Sequence, residues 1–72
     1  MQVFLETDSI RKILIRKNIS QNWLAHKLFI SSGYMSQLMD KSRCPSAKVR
    51  ANMMEILKGF EFDELFIIEG GN

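Results

Sequence analysis

Apolar positions recur along this chain at helical rather than strand spacing, and they divide it into a series of short segments. Ile10, Ile13 and Leu14 mark a first helix over residues 8–18, with Arg11, Lys12, Arg16 and Lys17 on its wet side. Thr7, Asp8 and Ser9 are its candidate N-caps, and Asn18 can take the left-handed conformation that ends a helix. Ser20 caps a second helix, residues 21–28, which turns Leu24, Ala25 and Leu28 inward. Ser31 caps a third, running to about residue 40. Pro45 stops the loop after it, and Ser46 caps a fourth helix that buries Val49, Met53, Ile56 and Leu57 and ends at Gly59. Phe60 and Phe62 fold back onto the core, and Asp63 caps a short last helix containing Leu65 and Phe66. The pattern predicts an all-α fold of five helices with no strand. Residues 1–6 stay open, since Val3-Phe4-Leu5 also suits a short extended arm.

Size narrows this to one domain over residues 1–72, because a chain so short buries only about 60% of its unfolded surface. A hydrophobic fraction of 46% is enough for one helical core and too high for disorder. The longest apolar runs, residues 13–15 and 65–68, fall far short of the roughly 20 residues a membrane span needs. No secretory leader is expected, and the single Cys44 rules out an intrachain disulfide, which suits a reducing cytosol. One Cys and one His are too few for a structural zinc site. No paired carboxylates, Gly-rich phosphate loop or Ser/His/Asp set is visible, so neither an enzyme nor a cofactor is expected. Trp23 is expected half-buried against the first helix, and His26 exposed.

Charge changes the picture more than composition does. The net +2 hides a polarised chain: residues 9–54 hold nine Lys or Arg against one acid, Asp40, whereas both ends are acidic. The basic middle contains the second and third helices. There Met35 and Leu38, three apart, face the second helix across a small Ala25, which lets the two approach closely. With those inward, Ser32, Gly33, Ser36, Gln37 and Asp40 fall on one outward stripe. A basic unit presenting an uncrowded polar helix face is what a DNA-reading module needs.

The spacing Gln21, Leu24-Ala25, Leu28, Ile30, Met35, Leu38, followed by Pro45-Ser46 and Phe62-Asp63-Glu64-Leu65-Phe66, resembles the Cro/repressor (XRE) helix-turn-helix family. The resemblance spans residues 10–66, with the helix-turn-helix at about 20–41. It implies a double-stranded DNA-binding regulator whose third helix enters the major groove. Carried onto this sequence, Ser32, Gly33, Ser36 and Gln37 would read bases, with Gln37 the strongest reader because its amide can pair bidentately with adenine. Gln21, Asn22, Tyr34, Lys41, Ser42 and Arg43 would hold phosphates. The chain departs from the family's pattern at Phe29 and Lys41, where Gly is usual, and at Leu14 and Met39, which stand where an Arg–Glu pair is common. A left-handed Phe29 would be strained by roughly 1–2 kcal/mol, so an altered turn, or Phe29 tucked onto the core, is expected.

A single small module buries about 600–1,000 Å² on DNA. Family members therefore bind as two-fold pairs on half-sites one helical turn, about 34 Å, apart. The candidate dimer face is the apolar end, Phe62, Leu65, Phe66, Ile67 and Ile68, before a loose tail at 69–72. These features together imply a small bacterial or phage repressor, cytoplasmic, acting by operator occlusion. The alternative is a protein-interaction adaptor, an antitoxin-like or antirepressor subunit that docks a partner through the same greasy end.

Overall fold

The computed structural model describes residues 1–70; Gly71 and Asn72, half of the expected loose tail, lie outside the described residues. The element order is β1 (Gln2–Leu5), α1 (Thr7–Lys17), α2 (Gln21–Lys27), α3 (Ser32–Met39), α4 (Ala47–Ile56), α5 (Phe62–Leu65) and β2 (Phe66–Glu69). The expected helices are all present, but the fold is not all-α. The two chain ends pair as an antiparallel ribbon with Val3 opposite Ile68, Phe4 opposite Ile67 and Leu5 opposite Phe66. Residues 2–5 are thus the extended arm that their composition allowed. Glu69, expected in a loose tail, is paired with Gln2.

Directly opposed residues on antiparallel strands share a face. Leu5 and Phe66 face the core and are almost wholly buried, while Phe4 and Ile67 lie on the ribbon's outer face, half-buried. This corrects the expected dimer face. Leu65 and Phe66 are core residues, Phe62 is half-buried against the core with its ring 4.9 Å from that of Phe66, Ile67 is half-buried and Ile68 is exposed. A chain this small needs those apolar side chains for its own interior. Leu5, Ile10, Leu24, Met35, Leu38, Met53, Leu57 and Leu65 are completely buried and form the centre of that interior. Leu14 and Met39 are buried as well, apolar as the sequence requires.

Local chemistry explains most helix starts. The hydroxyls of Ser20, Ser31 and Ser46 accept from the amides of Trp23, Tyr34 and Val49 at 2.9, 3.0 and 3.2 Å, each satisfying an otherwise orphaned N–H. Two starts differ from expectation. Glu6, not Thr7, Asp8 or Ser9, precedes α1 and makes no side-chain cap. Thr7 instead donates its buried hydroxyl to the Met39 carbonyl at 2.9 Å, tying the start of α1 to the end of α3. At α5 the cap is Glu61 rather than Asp63, in a reciprocal box with Glu64. The last helical residue of α4 is Ile56, and Gly59, at φ +99°, lies beyond that end.

Three helix ends share one device. Asn18, Phe29 and Lys41 have φ of 57°, 58° and 63°. In each case the amide of that residue bonds the carbonyl three back, and the next amide bonds the carbonyl five back: Ile19 to Leu14, Ile30 to Ala25, Ser42 to Gln37, at 3.0–3.1 Å. This is the Schellman motif, which normally places Gly or Asn in the left-handed position. Phe29 therefore does not escape the strain: the turn is unaltered, and its side chain is 91% exposed rather than tucked onto the core.

Candidate nucleic-acid interface

Burial sorts α3 into two faces. Met35, Leu38 and Met39 are buried, Tyr34 is half-buried against the core, and Ser32, Gly33, Ser36 and Gln37 are exposed together with Asp40 beyond the helix end. The buried set packs toward α2, whose Leu24 and Ala25 are also buried, and toward β1. No element of the described residues covers the polar face. All four residues expected to read bases therefore lie on one open surface.

The expected phosphate contacts are less uniform. Gln21 is half-buried and Asn22 exposed at the start of α2, while Lys41 and Ser42 are exposed at the turn after α3. Arg43 does not project to the flank. Its guanidinium carbon lies 4.3 Å from the centre of the Tyr34 ring, and its Nη1 donates to Gln37 Oε1 at 3.2 Å. The left-handed Lys41 makes this possible, because it reverses the chain so that Ser42 and Arg43 return beside Gln37. Sequence spacing alone hid the contact: residues six apart on a continuous helix do not meet.

Asp40 sits at the same turn. The Ser42 hydroxyl, which also reaches the Gln37 carbonyl at 3.4 Å, and then the Ser42 amide at 2.8 Å hold the Asp40 carboxyl below its ordinary pKa. The acid that opposes the α3 dipole is thus occupied with two local donors. It stays charged and marks one end of the polar face.

Ion pairing leaves the surrounding cations uncommitted. Among the described residues the salt bridges are Asp8–Arg11 at 3.7 Å and Glu55–Lys58 at 3.4 Å, both outside the α2–α3 pair. Lys27 lies 5.5 Å over the ring of Trp23, which keeps 39% of its surface accessible. Arg50 donates to the Pro45 carbonyl at 3.3 Å, bracing the loop before α4, and Lys48 is exposed beside it. Lys27, Lys41, Arg43 and Lys48 all belong to the basic middle of the chain, where Asp40 is the one acid.

The acids line a separate open groove of about 470 Å³ between α1 and α5, bounded by Glu6, Asp8, Asp63 and Glu64 with Lys12 and Arg16. No α3 residue borders it. Among the described residues no group of three or more His, Cys, Asp or Glu is placed to hold a metal ion, and no helix is long and apolar enough to cross a membrane. Compared with protein-family models, curated proteins and solved structures, the chain finds no match.

Proposed function

We propose that this chain is a sequence-specific double-stranded DNA-binding regulator of the helix-turn-helix kind, and that it represses by occupying an operator. In this mechanism α3 enters the major groove, Gln37 reads a base edge, Ser32 and Ser36 supply weaker hydrogen bonds, and Gly33 allows close approach. Asn22, Lys41 and Ser42 contact the flanking phosphates. The observation that carries the proposal is the open polar face of α3, with no charged side chain over residues 32–39, Asp40 and Lys41 at its end, and, among the described residues, no ion pair in the α2–α3 region.

Affinity for an operator would come from two copies on adjacent half-sites. With Leu65 and Phe66 buried, the apolar surface left for pairing is the ribbon's outer face, Phe4 and Ile67, and the exposed Ile68 on the other face near the ribbon's end. The same burial removes Leu65 and Phe66 from the greasy end that an adaptor would use.

Salt titration of duplex binding tests the proposal. Each phosphate neutralised adds about −0.9 to the slope of log affinity against log salt, so several contacts give a steep fall. Lys41→Ala should weaken all sequences alike and flatten the slope by about 1. Gln37→Ala should cost about 1–3 kcal/mol on the preferred site and relax one base position. Salt-independent or undetectable duplex binding would sink the proposal and favour the adaptor.

A further inference from the structure

From the contact between Arg43 and Gln37 we infer that the reading head of this protein selects guanine, not adenine, at the base Gln37 faces. This rests on the DNA-binding function proposed above and specifies its target. An arginine has five N–H donors and no acceptor, so only the amide oxygen of Gln37 can receive Arg43 Nη1 at 3.2 Å. That settles which way round the amide lies, a point geometry alone often leaves open. With one lone pair of the oxygen taken by Arg43, the amide nitrogen is the less committed prong to meet a base.

The clamp has its own support. The Arg43 guanidinium carbon lies over Tyr34, 4.3 Å from the ring centre, and Tyr34 packs half-buried against the core. Ser42 bonds the Gln37 carbonyl through its amide at 3.0 Å, which brings the loop back to the residue that Arg43 holds. Gln37 and Arg43 together present N–H donors to the groove. Guanine offers two acceptors there, N7 and O6. Adenine offers N7 and an N6 donor, and a glutamine that pairs with it bidentately needs its oxygen turned to N6. Arg43 takes one lone pair of that oxygen and sets a cation beside it, which disfavours the approach of the N6 donor and favours guanine's acceptors. Gln37 alone would favour adenine; Gln37 clamped by Arg43 favours guanine.

Selection of bound duplexes from a randomised pool, followed by sequencing, tests this with the full chain. Low salt keeps the loss of one cation from abolishing capture. Gln37→Ala identifies the base position concerned, as the one whose preference disappears. At that position the wild type should prefer guanine to adenine on the order of tenfold. Arg43→Ala, an exposed change that leaves the core intact, should turn the preference toward adenine without altering other positions. Tyr34→Leu keeps the Arg43 charge but removes its platform, and should lower the guanine preference. Adenine selected by the wild type, or guanine retained undiminished by Arg43→Ala, overturns the inference while leaving DNA binding intact. A wild-type pool with no enriched sequence overturns the DNA-binding function and the inference with it.

Discussion

Phe29 offers the sharpest test of how local strain enters this fold. Its backbone is left-handed at φ 58°, and its side chain is 91% exposed. A side chain in that conformation costs roughly 1–2 kcal/mol because its Cβ crowds the following carbonyl. Glycine removes the clash but loses about 0.5–1 kcal/mol more backbone entropy on folding than alanine does. Since Phe29 buries almost nothing, no compensating packing is lost. Phe29→Gly should therefore stabilise the protein by about 0.5–1 kcal/mol. For a domain of this size each kcal/mol moves the thermal midpoint by about 4–8 °C, so a rise of several degrees is expected. Phe29→Ala is the control, because it deletes the ring and keeps the Cβ, and its midpoint should stay near that of the parent. Phe29→Asn, tolerant of the left-handed region, should fall between the two. Thermal unfolding of the four proteins, followed by circular dichroism, reads all of this directly. A glycine variant no more stable than the alanine variant would show that the turn carries no strain. An alanine variant weakened by more than about 1 kcal/mol would show that the ring has a packing partner after all.

Two further substitutions probe the elements around α3. Thr7→Val deletes the buried hydroxyl and leaves the Met39 carbonyl unpaired, which should cost about 1–3 kcal/mol, whereas Thr7→Ser should keep most of the stability. Urea unfolding with unchanged slope would read the difference; a valine variant as stable as the parent would show that the bond contributes nothing. Gly33→Ala should stabilise the isolated protein by up to about 0.5–1 kcal/mol, because a Cβ there would meet only Ser31 Oγ at 3.9 Å. The same methyl would stand in the face proposed to approach bases, so duplex affinity should drop while the thermal midpoint rises. If both rise together, Gly33 is not kept for close approach.

Elements fixed by neighbours in sequence were legible from the chain, and elements fixed by distant partners were not. Ser20, Ser31 and Ser46 cap as expected because a hydroxyl three residues before an amide is a local matter. Thr7 has the same chemistry, yet its hydroxyl is claimed by a carbonyl 32 residues away. The β1–β2 ribbon joins the two ends of the described chain, and four-residue strands are too short to show alternation. Only the β-branched and aromatic residues at both ends hinted at it. At α5 the Glu64 half of the capping box was there to be read, but a glutamate at the cap itself is not the usual partner. Gln37 and the exposed stripe followed from helical periodicity. The Arg43 clamp did not, because it depends on Lys41 adopting a conformation for which lysine has no preference.

The composition of the polar face of α3 departs from that of an ordinary solvent-facing helix. Residues 32–39 contain no charged side chain, although a solvent-facing helix normally carries Glu, Lys and Arg, which form helices well and pair at i, i+4. Serine and glycine are weaker helix formers, and here they fill the positions where packing imposes no choice. Gly33 has room for a methyl, so its own fold does not demand it. Phe29 before the helix and Lys41 after it both hold left-handed turns that glycine would make without strain. Thus several residues in and around one surface element are locally unfavourable, while the core beneath it is complete. Local rules broken together, with no compensating contact inside the protein, are expected where a surface is shaped for something outside it. A face of small, uncharged, hydrogen-bonding side chains over residues 32–39, with Lys41 at its end and Gln37 in contact with Arg43, is the kind of surface that the proposed reading of base edges requires.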